Sequence, residues 1–185
     1  MIKTIFLGLA LSTLSYAAKA ETTETEPIQY YEDISFKFTD GKYVPIDGDT
    51  FWFGIHPIRI YGIDTIEVRQ VCFDGEVIVD CHRLTMNFLE SDILKPDTVC
   101  RPHLGRGGVP HMSHSRYVAS CYSDGKDIGR MMVEAGWAVA AKGSEGEDYR
   151  SLEQVARIQK KGLHKFKFDH PFDFRNPHKP DSCDP

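Results

Sequence analysis

The sequence predicts an α+β fold, a small β-barrel capped by helices. Three observations carry this: a first half of short apolar runs broken by Asp-Gly pairs, a change to helical spacing after Cys81, and two further helical patterns toward the C-terminus. The chain has 185 residues and 21.0 kDa, 41% of them hydrophobic and 26% charged, which is enough apolar material for one packed domain. Fifteen Gly and ten Pro exclude a collagen-like or wholly disordered composition. No uninterrupted apolar run reaches the about 18 residues that a membrane-spanning helix needs. The formal charge of −5 and a pI near 5.9 argue against a protein that coats nucleic acid by bulk charge, so any such binding must be local.

In chain order, residues 1–20 read as a secretory signal. Lys3 starts it, residues 4–14 are largely apolar, and Ala18-Lys19-Ala20 supplies small residues around a cleavage point. An uncleaved anchor is disfavoured by the short apolar stretch and by Ser12, Thr13 and Ser15. Residues 21–33 carry Glu21, Glu24, Glu26, Glu32 and Asp33 with no basic residue, an acidic flexible leader. Over 34–60, Asp40-Gly41 and Asp47-Gly48 punctuate hairpins. Cys81, Leu84, Thr85, Phe88 and Leu89 then form a helical stripe bounded by Pro96. Residues 99–101 and 117–122 are strands around a Gly-, Pro- and His-rich loop, followed by an Asp124-Gly125 turn. Ile128, Met131, Met132 and Ala135 mark a helix ended by Gly136. Ser144 with Glu147 opens a last helix that Lys160-Lys161-Gly162 closes. Past Phe168, four prolines and little periodicity describe a tail that packs locally or not at all. No internal repeat is present.

Five cysteines in an exported chain favour disulfides. The preferred pairs are Cys72 with Cys81, closing a short Gly-containing loop, and Cys100 with Cys121, joining two strands; Cys183 is left over. Four cysteines still admit three arrangements.

The densest chemical constellation is Asp49, Arg59, Asp64, Thr65 and Glu67 in the β half. Two carboxylates with a carbonyl and waters make a hard oxygen site for Ca²⁺ or Mg²⁺, an arginine offers two planar donors to phosphate, and Glu67 is free to take a proton from water. The same residues also admit a plain structural reading, with Asp47-Gly48-Asp49 as a turn and Arg59–Asp64 as a surface ion pair.

Around these residues the chain resembles the staphylococcal nuclease-like (thermonuclease) family. The similarity runs through Val44-Pro45-Ile46-Asp47-Gly48-Asp49-Thr50, Ile58-Arg59-Ile60-Tyr61-Gly62-Ile63-Asp64-Thr65-Ile66-Glu67 and Ser115-Arg116-Tyr117-Val118-Ala119. It continues through Asp124-Gly125-Lys126-Asp127-Ile128, Met132-Val133-Glu134-Ala135-Gly136-Trp137-Ala138, Tyr149, Glu153-Gln154-Val155-Ala156-Arg157 and Gly162-Leu163. The resemblance implies a five-stranded OB-fold barrel with about three helices over 34–166, ahead of a tail at 167–185. It also implies a Ca²⁺-dependent endonuclease that hydrolyses DNA and RNA with little sequence preference, Mg²⁺ being a possible substitute. Asp49, Asp64 and the Thr65 carbonyl match the metal ligands, Glu67 the general base, and Arg59 and Arg116 the phosphate-binding arginines. The cysteine placement is similar to exported Gram-negative members, which supports the two pairs above and a periplasmic or secreted location. No stable protein partner is implied, nor a membrane span once the signal is cleaved. Three residues depart from the family pattern. Ile66 replaces Pro, Ser115 replaces Gly after a longer loop at 102–113, and His164 replaces Trp.

Weaker signals complete the reading. Cys100, His103, His111 and His114 have zinc-like spacing, but an exported Cys100 has a disulfide partner. Gly105-Arg106-Gly107-Gly108 is a loop and not a nucleotide fingerprint, though Arg106 could touch a phosphate. Tyr61, Tyr117 and Tyr122 offer faces for base stacking or are half-buried strand residues, and Lys160, Lys161, Lys165 and Lys167 form the most basic run. No Gly-x-Ser-x-Gly elbow supports serine hydrolysis. The alternatives to a nuclease are a catalytically weak OB-fold nucleic-acid-binding module and an envelope protein anchored through Cys183.

Overall fold

Half-buried alternation and turn chemistry generate the sheet. In the computed structural model, residues 43–177 are described in full and residues 36–37 by their backbone. The signal and leader expected at 1–33, the Asp40-Gly41 turn and Cys183 lie outside the described residues. The strands are β1 (Phe36–Lys37), β2 (Tyr43–Asp47), β3 (Thr50–Phe53), β4 (His56–Ile60), β5 (Ile63–Asp64), β6 (Cys72–Asp74), β7 (Val77–Val79), β8 (Val99–Pro102), β9 (Met112–Ser113), β10 (Arg116–Ser123), β11 (Lys126–Asp127) and β12 (Val139–Ala140). The helices are α1 (Cys81–Phe88), α2 (Ile128–Glu134), α3 (Arg150–Ile158) and α4 (Pro171–Arg175).

The main sheet runs β1-β8-β10-β4-β3-β2, with β9 and β11 folded back on β10. It is mixed: β4 and β10 are parallel, with Val118 opposite Arg59, and the other pairs are antiparallel. Among the described residues the ladders close no barrel, and the five-strand count expected for an OB-fold barrel is not reproduced. Among the described residues the main sheet ends at β1 and β2, while β5 leaves it to pair with β12, and β6–β7 is a separate hairpin. The α+β class holds.

Local sequence explains the helix limits. Asp80 caps α1 by accepting from the Arg83 N–H at 3.0 Å, and Asp127 caps α2 by accepting from the Arg130 N–H at 2.9 Å. Beyond Phe88 the helix continues as a π-helical segment, Leu89–Ile93, before the chain extends at Leu94 ahead of Pro96. The expected capping box at Ser144 does not form; Ser144–Tyr149 is a 3₁₀ segment without a side-chain cap, and α3 starts at Arg150. Two apolar clusters make the core. The larger joins Phe51, Ile58, Ile60 and Ile63 of the strands to Leu89, Ile128, Met132 and Val133 of the helices. The smaller gathers Ile66, Cys72, Cys81 and Leu163 under the loop that follows β5. Disulfides join Cys72 to Cys81 and Cys100 to Cys121, as preferred from sequence.

Candidate active site

The hairpin between β2 and β3 sets the first carboxylate. Asp47 Oδ1 accepts from the Asp49 backbone N–H at 3.1 Å, an Asx turn that tightens the two-residue connection. Gly48 lies so close to Thr65 and Thr85 that a Cβ there would come within 2.5 Å of the Thr85 methyl. Only glycine lets the hairpin press against the loop after β5. Asp49 is thereby buried at 2% exposure, next to Asp64 at 2% and Thr65 at 3%.

Arg59, near the end of β4, stands opposite Thr50 of β3. Its Nη1 reaches Asp49 Oδ2 at 2.5 Å, and its Nη2 donates to the Ile63 carbonyl at 3.2 Å and faces Asp64 Oδ1 at 3.5 Å. The turn that carries the chain from β4 to Asp64 uses Gly62 at φ +77, beside Tyr149, where a Cβ would meet the ring at 2.5 Å. The Ala141 N–H donates to the Gly62 carbonyl at 2.9 Å, and β5 pairs with β12, which fixes Asp64 opposite Val139.

The long loop ahead of Arg116 does not remove it from the site. β9 and β10 form a hairpin whose turn residues, His114 and Ser115, have φ +50 and +62. Two left-handed residues are what a type I′ turn requires, so Ser115 adopts the backbone that a glycine takes at lower cost. Arg116 Nη1 then donates to Thr50 Oγ1 at 3.0 Å and lies 3.9 Å from Asp47 Oδ2. Thr50 in turn donates to Asp49 Oδ1 at 2.8 Å. One fully buried hydroxyl thus couples the second arginine to the first carboxylate. Nothing in the pattern of apolar residues singles Thr50 out from sequence.

Asp49, Asp64, Thr65, Glu67, Arg59 and Arg116 all line one cavity of about 400 Å³. Burial raises Asp49 well above the usual carboxylate range, against the attraction of Arg59. Burial also opposes the charge on Arg59, but Asp49 and Asp64 outweigh it and move that group upward. Both partners shift upward because desolvation dominates at the carboxylate and two anions dominate at the guanidinium.

The feature that sequence reasoning missed is Arg175. It comes from α4, inside the segment expected to be a tail, and its Nη1 and Nη2 donate to Asp64 Oδ1 and Oδ2 at 2.8 and 2.6 Å. Nη1 also donates to Glu67 Oε1. Its hydrogen bonds to Asp64, then to Glu67, hold this guanidinium charged against its partial burial. Lys142, Glu145, His114 and Phe172 complete the rim.

Of the other sequence candidates, His114 lies on this rim and the rest sit elsewhere. Cys100 is bonded to Cys121, His103 Nε2 lies 2.8 Å from Ser120 Oγ, and His114 Nδ1 lies 3.2 Å from Ser113 Oγ. Among the described residues no three His, Cys, Asp or Glu side chains gather as a metal-holding group. The tyrosines have intramolecular partners: Tyr61 stacks on His103 at 3.8 Å, Tyr117 meets His56 edge-on, and Arg101 lies over Tyr122. Arg106 is in a separate 3₁₀ turn, and Lys167 bridges to Phe73. No helix among the described residues is long and apolar enough to cross a membrane.

Comparison with known proteins agrees with this framework. The family model described as Staphylococcal nuclease homologue matches residues 82–165, a stretch that includes Arg116 and ends before α4, while Asp49, Arg59, Asp64, Thr65 and Glu67 precede it. The succinoglycan biosynthesis protein ExoI of Rhizobium meliloti (strain 1021) is 26% identical over 132 residues, covering 70% of this chain. The match spans 66% of that relative's length, just short of two thirds. Over residues 82–165, this chain is similar to the staphylococcal nuclease homologue family.

Proposed function

We propose that the protein is an exported, Ca²⁺-dependent phosphodiesterase that cleaves DNA and RNA with little sequence preference. The observation that carries this reading is the convergence of four oxygen-bearing residues and two arginines on one cavity. The donor set fits a hard cation: two carboxylates, a backbone carbonyl and no sulfur or imidazole among Asp49, Asp64 and Thr65. A bound Ca²⁺ would supply positive charge to the phosphate oxygens at that place.

In this reading Arg59 and Arg116 donate to the non-bridging oxygens as negative charge builds on phosphorus, and their fixed guanidinium planes need little reorganisation. Glu67 takes a proton from the attacking water while the water oxygen forms the new P–O bond. The bond to the leaving sugar oxygen breaks on the opposite side, and that oxygen gains a proton from solvent. Contacts confined to phosphate carry no base information, which supports indifference to sequence. The two disulfides favour an oxidising compartment, in line with export. A folded unit over 34–166 with a C-terminal extension belongs to the same proposal.

One observation favours a second reading, a nucleic-acid-binding module with its chemistry blocked: Arg175 occupies Asp64 and Glu67. Incubating the purified protein with plasmid and RNA in Ca²⁺, in Mg²⁺ and in chelator separates the two. Metal-dependent cleavage that falls by about 10²–10⁴ in Glu67→Gln is the expected result for a general base. Binding without cleavage under every condition supports the module instead.

A further inference from the structure

The C-terminal segment is built onto the site by four separate attachments. Lys167 and Phe73 bridge backbone to backbone, and Gln70 Nε2 donates to the Asp169 carbonyl at 2.5 Å. Lys142 Nζ donates to Asp173 Oδ1 at 2.6 Å and lies 5.0 Å from the Phe172 ring centroid. Arg175 then forks onto Asp64 and reaches Glu67. Gln70 also accepts from the Glu67 N–H at 3.2 Å, so one side chain links the Glu67 turn to the strap. His170 starts the short helix by accepting from the Phe172 N–H at 3.2 Å, with Pro171 at its first position.

A bidentate guanidinium uses both oxygens of Asp64, the atoms a divalent cation would need at that carboxylate. It also occupies Glu67, the one acid of the set that is a third exposed and free of Arg59. Arg59 pairs with Asp49 and also faces Asp64 at 3.5 Å, and Arg175 adds a bidentate contact to Asp64 and the contact to Glu67. A divalent cation on Asp64 would compete with this fork for the same lone pairs and would meet its positive charge at close range.

We infer that Arg175 is a built-in competitor of the divalent cation: residues 167–177 form a strap whose arginine occupies Asp64 and Glu67 and leaves them when the cation binds. The inference rests on the metal-dependent reading of the same cavity. It makes the strap a gate in which cation occupancy frees Glu67, so that the base is released by the same event that loads the site. The second reading above then describes the closed form of the enzyme.

Two measurements on the full purified chain test it. Calorimetric titration with Ca²⁺ compares wild type with Arg175→Ala, and trypsin cleavage of the Arg175–Asn176 bond in wild type is followed with and without Ca²⁺. If the closed form holds about nine-tenths of the population, Arg175→Ala binds Ca²⁺ about tenfold more tightly, because apparent affinity is reduced by the fraction that is competent. Ca²⁺ also speeds cleavage after Arg175, a readout that separates displacement from a simple loss of positive charge. Asp173→Ala cuts the tether to Lys142 without touching the carboxylates. It shifts affinity in the same direction and carries the test should Arg175→Ala fail to fold. An unchanged Kd in the variants, or an unchanged trypsin rate, overturns the inference while leaving Ca²⁺-dependent cleavage by wild type intact. No Ca²⁺ binding and no cleavage by any of the proteins overturns the nuclease proposal and the inference together.

Discussion

Asp47 and Asp49 carry the same side chain two residues apart and do different things. Asp47 uses an oxygen to close the hairpin, while Asp49 is driven into a buried position against Arg59. The two were not separable by residue type, and the turn reading of Asp47-Gly48-Asp49 describes the first while the site reading describes the second. Thr50 shows the converse, a residue of no obvious chemistry that becomes the link between Asp49 and Arg116. Thr50→Val keeps the shape and removes both hydrogen bonds. Under the proposed function it lowers kcat/KM by up to about 100-fold through a misplaced Arg116, with the Ca²⁺ Kd changed much less. A KM-against-kcat comparison beside a metal titration checks this.

At the scale of elements, the loop after β5 is held by Ile66, which is fully buried in the smaller apolar cluster with Cys72, Cys81 and Leu163. The family's proline at this place would restrict φ; Ile66 instead anchors the loop by packing, and both solutions restrain the residue before Glu67. Ile66→Ala is expected to cost about 2–5 kcal/mol of stability, from lost burial and the cavity left behind. Urea denaturation of the variant measures the loss, and a cost below about 1 kcal/mol contradicts the anchoring role. The His114-Ser115 turn likewise replaces a glycine with two residues in the left-handed region and still delivers Arg116 to the cavity. Most elements were legible: the stripe from Cys81, the strands at 99–101 and 117–122 and the helix at 128–135 each have a period strong enough to read. The start of α3 was not, because Ser144 and Glu147 have the spacing of a capping box while Gly146 and the close packing against Ala141 favour a 3₁₀ turn there.

For the whole molecule, the Cys100–Cys121 bridge ties β8 to β10, the strand that also carries Arg116. Replacing both cysteines with serine is expected to lower stability by about 3 kcal/mol, the loop-entropy scale for a closure of this length. Comparison of denaturant midpoints under oxidising conditions checks it. Burial holds His103, His164 and His170 below the usual histidine range. A histidine depressed in the fold takes up protons more readily when unfolded, so its contribution is full above about pH 6.5 and is lost as pH falls below that value. Wild type should therefore lose more stability than His164→Phe between about pH 7.5 and about pH 5.5, with equal losses counting against the assignment. His164 also has a buried Nε2 with no hydrogen-bond partner, so the phenylalanine variant is expected to be no less stable at the higher pH. The sequence by itself determined the class of the fold and most of its elements, because periodicity and turn pairs are local and survive in one dimension; it favoured the two disulfide pairs without fixing them, and the six residues that share one cavity stood out through the ordered motifs of the family resemblance. Only the tertiary structure decided that the main sheet stays open among the described residues, that Thr50 couples Arg116 to Asp49, and that Arg175 sits on Asp64. Those are contacts between residues as far as 111 positions apart, set by packing and charge in space, and no local pattern in the chain encodes them.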